Sequence, residues 1–233
     1  MTALSETIHL VRQRIDEAAR QAGRKPEDIM LVAVTKTQPA EVISTALESG
    51  ITQIGENKVQ EASVKLPLLT QPYAGFHFIG HLQSNKVKAL LKLKPCLIHS
   101  VDSVTLAQKL NAELSRESRV QEILLQVNTS REESKSGLAP ERVFETAQLI
   151  AAMPQLRIQG LMTIGTLSPH PEAARACFRE LKLLYDKLAA AHLPGVQMRY
   201  LSMGMTADFT LAIAEGSNLV RIGSAIFGER HDA

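Results

Sequence analysis

The sequence predicts an α/β fold: a single (β/α)8 barrel of the TIM type with an extra N-terminal helix. Eight short apolar runs alternate with helical patterns along the 233 residues, and most runs are continuously hydrophobic. Continuous apolar strands are typical of parallel sheets buried on both faces, and strict alternation with helices is typical of this barrel. The alternative is a doubly wound open sheet, but no Gly-x-Gly-x-x-Gly follows the first run, which weakens a dinucleotide site.

The elements can be placed along the chain in order. The strands are expected to begin near Met30, Gln53, Phe76, Leu97, Ile123, Ile158, Met198 and Leu219. Pro39, Pro140 and Pro171 suit the first turn of three helices, and Ser103 suits the N-cap of another. The extra helix precedes the first strand and is marked by an apolar stripe at helical spacing: Leu4, Ile8, Val11, Ile15 and Ala18.

Composition limits the classes of function. A net charge of +2 and an aromatic content of 4% argue against a nucleic-acid partner, and no apolar stretch is long enough to span a bilayer. The N-terminus lacks the basic and apolar regions of a secretory signal. Cys96 and Cys177 have no metal-ligand spacing and suit a reducing compartment. We therefore expect one domain over residues 1–233, in the cytoplasm, with no metal and no membrane partner.

Lys36 lies at the carboxyl end of the first predicted strand, directly after an apolar run. In a barrel of this type the active site lies at the carboxyl ends of the strands. Burial disfavours the ammonium form of a lysine, and an unprotonated amine can attack a carbonyl carbon to form a Schiff base. Lys36 is therefore predicted to carry the chemistry. The alternative is an ordinary solvated lysine where a strand emerges.

The ends of the last two strands predict an anion site. The stretch 202–206 contains Gly204, which allows the backbone to approach a ligand closely, and Gly223 and Ser224 follow the last strand. Barrels often bind phosphate between the loops after strands 7 and 8, and N–H groups at a helix start attract anions. The alternative for each loop is an ordinary turn, but the pair in this position favours a phosphate site.

Arg221 and Asn57 also lie at strand ends. Arg221 shares a strand face with Gly223, so its guanidinium can point to the ligand. The alternative for Arg221 is an ion pair with Glu215 or Glu229. Asn57 could bond a ligand oxygen, but a helix N-cap is the commoner use of asparagine after a strand.

Three histidines lie in or near predicted strands. His77 is expected to be a packing histidine within a strand, with its hydrogen bonds satisfied. His81 and His99 are expected at strand ends, where they could titrate. The sequence pairs neither of them with a nucleophile.

The strand ends together resemble the pyridoxal phosphate homeostasis protein family, whose fold is the barrel domain of alanine racemase. The resemblance covers nearly the whole chain in the family's order, and Thr35 and Thr206 stand where serine is also common. The matching stretches are LVAVTKT at 31–37, GENKVQE at 55–61, HFIGHLQSNK at 77–86, ESKSG at 133–137, GLMTI at 160–164, SMGM at 202–205 and VRIGSAIFG at 220–228.

The resemblance implies a cofactor and its contacts. Lys36 would form a Schiff base with pyridoxal 5′-phosphate (PLP), Arg221 would face the pyridine nitrogen and Asn57 would lie near the ring. The phosphate would be held by Ser202, Gly204, Met205, Gly223 and Ser224. The family binds and buffers PLP without established catalysis, so the resemblance implies a carrier in vitamin B6 homeostasis and not an enzyme.

Two enzymatic alternatives stay open. The first is a PLP-dependent amino-acid racemase; alanine racemase takes a second base, a tyrosine, from a C-terminal β domain, whereas this chain ends just after the eighth strand. The sequence does not place any of the three tyrosines, Tyr73, Tyr185 and Tyr200, over the face of the PLP ring opposite Lys36. The second is a Schiff-base aldolase acting on a phosphorylated sugar. The expected partners are PLP and apo forms of PLP enzymes as recipients, and a monomer is expected.

Overall fold

Eight parallel strands close into a barrel in the computed structural model, which describes residues 2–166 and 170–228. The strands are β1 (Met30–Val34), β2 (Gln53–Glu56), β3 (Gly75–Phe78), β4 (Leu97–Val101), β5 (Gln121–Gln126), β6 (Leu156–Met162), β7 (Val196–Ser202) and β8 (Leu219–Ile222). Each strand pairs in parallel with its successor, and β8 pairs with β1, where Leu219 lies opposite Met30. The predicted barrel is confirmed, and the open sheet is excluded.

A helix follows every strand, and one further helix precedes β1. The helices are α1 (Ala3–Gln21), α2 (Ala40–Glu48), α3 (Val59–Lys65), α4 (Val87–Lys92), α5 (Val104–Ser115), α6 (Val143–Ala151), α7 (Pro171–Ala190), α8 (Phe209–Ala214) and α9 (Ser224–Phe227). The predicted N-terminal helix is therefore confirmed as α1. Within the described ranges, no helix is both long enough and apolar enough to cross a membrane.

The predicted helix starts are confirmed to within a few residues. Ser103 caps α5 by accepting a hydrogen bond from Leu106 N at 3.2 Å, and Pro171 begins α7. Pro39 is the residue before α2 rather than its first residue. Pro140 begins a short 3₁₀ turn, Pro140–Arg142, and α6 follows it. Such tighter turns are frequent at helix starts.

The main apolar core lies between the barrel and its helices, and a small apolar layer fills part of the barrel interior. That interior layer consists of Val32, Leu97, Leu124, Met162 and Leu219. Polar side chains are also buried in the strands, and His77, His99, Ser202 and Arg221 are among them. Barrel interiors are usually filled by branched apolar side chains, so these polar side chains mark where the fold serves something besides packing.

Candidate functional site

A cavity of about 310 Å³ opens at the carboxyl ends of β1, β7 and β8. It is lined by Val34, Lys36, Thr37, Gln38, Met205, Thr206, Ala207, Arg221, Gly223, Ser224, Phe227 and Gly228. A larger surface cleft of about 540 Å³ lies between α1, α7 and α8, but no lysine lines it. The cavity that contains Lys36 is therefore the candidate site.

The structure brings together five of the eight side chains and glycines predicted for the site. Those that line the cavity are Lys36, Met205, Arg221, Gly223 and Ser224. The other three lie outside its lining. Ser202 is buried at the end of β7, Gly204 lies in the following loop, and Asn57 follows β2.

The backbone around Lys36 is held from both sides by a group that we call the Lys65 clamp, formed by Glu56, Glu61 and Lys65. Lys65 Nζ lies 3.1 Å from Glu56 Oε1 and 3.0 Å from Glu61 Oε2. It also donates to Thr35 O at 3.0 Å, and Thr37 N donates to Glu61 Oε2 at 2.9 Å. Both neighbours of the candidate lysine are thus tied to one ionic group.

Two features show that the Lys65 clamp holds a backbone conformation and a buried carboxylate that are each unfavourable alone. Thr37 has a φ of 66°, in the left-handed region that a β-branched residue rarely adopts. Burial raises the pKa of Glu56, although hydrogen bonds from Thr35 and the charge of Lys65 oppose that rise. Contacts from surrounding structure must hold such a conformation in place. The clamp therefore fixes where the chain turns after β1, and with it the position of Lys36.

Another part of the cavity is built from the loops after β7 and β8, which Thr206 joins. Thr206 Oγ1 accepts hydrogen bonds from Ser224 Oγ at 3.2 Å and Ala225 N at 3.3 Å. Gly204 has a φ of 93°, and a Cβ there would lie 2.6 Å from the Cβ of Ala212. The first loop can therefore pack against α8 only with glycine at this position.

Arg221 forms part of the cavity lining from a buried position in β8. One terminal nitrogen of its guanidinium donates to Ser202 Oγ at 2.6 Å, and the other donates to Thr163 O at 2.9 Å. Burial lowers the pKa of Arg221 to about 10, against the opposing charge of Asp208. The alternative of an ion pair with Glu215 is wrong, because Glu215 binds Arg175 and Arg179. Glu229 lies outside the described residues.

The histidines are placed differently from the sequence expectation. His77 is a buried residue with hydrogen bonds, as expected, and its partners are His99 at 2.9 Å and Gln53 at 3.0 Å. His99 lies fully buried within β4 rather than at a strand end, and its Nδ1 lies 3.0 Å from Ser202 Oγ. His81 is exposed, 3.5 Å from Asp102. Asn57 caps no helix, since Lys58 is the residue before α3.

We expect the stability of the fold to decrease as the pH falls from 6.5 towards 4. Burial lowers the pKa of His77 from 6.5 to about 4, whereas an unfolded histidine titrates near 6.5. Between these values the unfolded chain binds more protons, so stability decreases with falling pH. At about 1.4 kcal/mol per pKa unit, His77 accounts for about 3 kcal/mol.

Urea unfolding at pH 7 and pH 4.5 measures this effect. His77→Gln should make the dependence on pH shallower, while the matched change at an exposed histidine, His81→Gln, should leave it unaltered. Equal pH dependence in the wild type and in His77→Gln would contradict the expectation.

The sequence of this chain matches a known family along most of its length. The sequence model described as "Alanine racemase, N-terminal domain" matches residues 9–231. The chain belongs to this family. A relative from Aquifex aeolicus named pyridoxal phosphate homeostasis protein is 40% identical over 225 residues, which cover 97% of each chain. The family resemblance expected from the strand ends is therefore confirmed.

Solved structures agree with the fold. The structure of PipY from Synechococcus elongatus with PLP bound has a TM-score of 0.80 and 33% identity, covering 92% of this chain and all of that one. An alanine racemase from Clostridium difficile has a TM-score of 0.72 at 15% identity and covers 95% of this chain but 57% of its own. This second match supports the barrel alone.

Several lining residues were not predicted as site residues. Thr37 and Gln38 directly follow Lys36, and Thr206 directly follows Met205, so their positions in the same loops were an available signal. The Lys65 clamp had a weaker signal, the four-residue spacing of Glu61 and Lys65. In the described part of the chain, no three histidine, cysteine or acidic residues group as metal ligands.

Proposed function

We propose that this chain binds PLP through a Schiff base on Lys36 and serves as a carrier of the cofactor in vitamin B6 homeostasis. The observation that carries the proposal is that one cavity is lined by Lys36 from the loop after β1 and by Thr206 and Ser224 from the loops after β7 and β8. Arg221 also lines the cavity. The PLP-bound PipY structure, at 33% identity, supports the same cofactor.

The residues present fit PLP. Its aldehyde suits the amine of Lys36, and its phosphate suits the hydroxyls of Thr206 and Ser224 with the backbone of Gly223. A volume of about 310 Å³ lies at the lower end of the range for small-ligand pockets, about 300–1,000 Å³. Asn57 Oδ1 is buried and has no hydrogen-bond partner within the described residues, but Asn57 does not line this cavity, so its place near the ring rests on the family resemblance.

We place the remaining predicted residues around this core. Met205, Gly204 and Gly223 shape the phosphate side, since Gly204 allows its loop to pack on α8. Ser202 acts behind Arg221 by accepting a hydrogen bond from it at 2.6 Å. Bound PLP supplies an electron sink for carbanion chemistry. An acceptor atom that meets Arg221 receives a hydrogen bond but no proton, because a guanidinium keeps its own.

The positions of the tyrosines favour a carrier over a racemase. None of the three tyrosines lines the cavity that contains Lys36. Tyr200 lines a cavity at the opposite end of the barrel, and Tyr185 donates its hydroxyl hydrogen bond to Met198 O. Tyr73 packs against the main core. Racemisation needs a base on each face of the reacting carbon, and these tyrosines do not supply the second.

Three further parts of the proposal concern the molecule as a whole. We take residues 1–233 as a single domain, of which Met1, 167–169 and 229–233 lie outside the described residues. The thiols of Cys96 and Cys177 are both free, which suits the reducing cytoplasm. We take the chain to be a monomer that releases PLP to apo forms of PLP enzymes.

Borohydride trapping tests the lysine assignment. The purified protein incubated with PLP should be yellow, and reduction should fix one PLP adduct on Lys36, located by peptide mass spectrometry. Lys36→Ala should lose the adduct and the colour, because no amine remains in the cavity lining. Lys58→Ala is the control, since Lys58 is a largely exposed lysine in a neighbouring loop. An adduct that persists in Lys36→Ala would overturn the proposal.

A separate assay tests the carrier assignment. The PLP-loaded protein is incubated with L-alanine and other amino acids, and the products are separated by chirality. We expect no sustained formation of D-amino acids. Sustained turnover would replace the carrier by a racemase, and a colourless protein that traps a phosphorylated sugar on Lys36 would replace it by an aldolase.

A further inference from the structure

Five side chains form an unbroken row of hydrogen bonds through the barrel interior, which we call the polar row: Arg221, Ser202, His99, His77 and Gln53. The successive distances are 2.6 Å, 3.0 Å, 2.9 Å and 3.0 Å. Gln53 lines a second cavity, of about 310 Å³, at the amino ends of the strands. The polar row therefore joins the candidate site to the opposite mouth of the barrel.

Chemistry gives the polar row one direction. A guanidinium can only donate, so Ser202 Oγ accepts from Arg221. Within the described residues, His99 Nδ1 is the one acceptor in reach of the Ser202 hydroxyl, so the hydroxyl donates to it and that nitrogen carries no proton.

The rest of the direction follows from His99. His99 Nε2–H donates to His77 Nδ1, and His77 Nε2–H donates to Gln53 Oε1, an acceptor. In the reverse direction Arg221 and His99 Nδ1–H would both donate to Ser202 Oγ, and the hydroxyl proton would have no acceptor among the described residues. Each histidine therefore has one donor nitrogen and one acceptor nitrogen, and each is neutral.

The electrostatic surroundings agree with two neutral rings. Burial lowers the pKa of His99, and the nearby His77 and Arg221 lower it further. Burial alone lowers the pKa of His77 to about 4. A second positive charge beside Arg221 is thus disfavoured, and the hydrogen bonds of the polar row keep their direction at neutral pH.

We propose that His99 and His77 are positioning residues that hold the guanidinium of Arg221 in one orientation at the PLP site. This inference rests on the proposed function. Ser202 stays an acceptor for Arg221 because its own proton is committed to His99, and His99 is held in the matching tautomer by His77. Outer partners of this kind tune the groups that touch a ligand.

Nitrogen NMR on the protein without PLP tests the direction of the polar row. The chain has seven histidines, so the signals of ¹⁵N-histidine-labelled protein are assigned with His99→Gln and His77→Gln. We expect both rings to be neutral and protonated on Nε2 at pH 7. A proton on Nδ1 of His99, or an imidazolium at either position, would overturn the inference.

The absorption spectrum of bound PLP tests the positioning role. His99→Phe removes both hydrogen bonds of the ring, and we expect a shifted absorption maximum and PLP affinity weaker by about 10-fold or more. Ser100→Ala is the matched control, because the Ser100 hydroxyl is buried in the same strand without a hydrogen-bond partner among the described residues. His99→Gln, whose amide can both accept and donate, should recover part of the loss.

The outcomes separate the two proposals. A normal spectrum and affinity in folded His99→Phe would overturn the positioning role while leaving PLP binding intact. A wild-type protein without a Lys36 adduct would overturn the proposed function, whereas the tautomers measured without PLP would still decide the direction of the polar row. If His99→Phe does not fold, His77→Phe, one step further from Arg221, carries the same test with a smaller expected shift.

Discussion

Replacing Lys65 by methionine is expected to lower the free energy of unfolding by about 3–5 kcal/mol, the range for breaking a buried ion pair on one side. The side chains of Lys65 and Glu56 are 12% and 1% exposed. Without the ammonium, the buried carboxylate of Glu56 keeps one hydrogen bond among the described residues, from the Thr35 hydroxyl at 2.7 Å. Thr35 O and Glu61 would lose the same donor.

Urea unfolding with linear extrapolation measures this loss, and two variants interpret it. Lys58→Met also removes a lysine near Glu61, at 3.7 Å, but Lys58 is 66% exposed, so the change should stay within about 0.5 kcal/mol. Lys65→Met combined with Glu56→Gln should be more stable than Lys65→Met alone, because the unpaired charge is gone. A loss below 1 kcal/mol in Lys65→Met would show that the clamp carries little energy.

The same variant should slow the trapping reaction at Lys36. The clamp holds Thr35 and Thr37 on either side of the lysine, and Thr37 is in the left-handed region at a φ of 66°. Once released, this turn can relax, and the amine would sample positions away from the cavity. The yield of adduct after a fixed short incubation measures this effect. The incubation is carried out without urea, under conditions in which Lys65→Met is folded.

Changing Gly204 to alanine is expected to lower the free energy of unfolding by about 2–5 kcal/mol, the sum of left-handed backbone strain and overpacking. The new Cβ would lie 2.6 Å from Ala212 Cβ and 2.9 Å from Phe209 Cα, so α8 or the loop before it must move. That loop includes Met205 and Thr206, which line the cavity. PLP affinity should therefore fall with stability.

Gly50→Ala separates the two contributions. Gly50 has the same φ of 93°, but a Cβ there would meet no atom within 4 Å. Gly50→Ala should lower the free energy of unfolding by the backbone strain alone, about 1–2 kcal/mol, and leave PLP affinity unaltered. Melting temperatures and PLP titrations of both variants make the comparison. Equal losses in Gly204→Ala and Gly50→Ala would mean that the contact with α8 does not matter.

Much of the fold could be predicted because buried strands appear in the sequence as continuous apolar runs. β1, β2, β4 and β8 begin at the expected residues. β5, β6 and β7 begin at Gln121, Leu156 and Val196, two residues before the expected starts. Gln121 does not belong to an apolar run, because it is a polar residue whose buried amide donates to Pro95 O at 3.0 Å.

The candidate site could be predicted only where it follows the ends of strands. Lys36, Gly223 and Ser224 are such residues, and all three line the cavity. The polar row could not be predicted, because it joins side chains from five strands whose alignment depends on the closed barrel. His99 illustrates this limit: it reads as a strand-end residue, yet the barrel places it against Ser202, 103 positions away along the chain.

The seam between β1 and β8 makes the site a product of the completed ring. Lys36 follows the first strand and Ser224 follows the last, so the two halves of the cavity become neighbours only when Met30 pairs with Leu219. A nascent or partly unfolded chain therefore lacks this cavity. A ligand that contacts both halves binds only the chain in which β1 and β8 are paired. Its binding therefore stabilises the closed barrel by mass action.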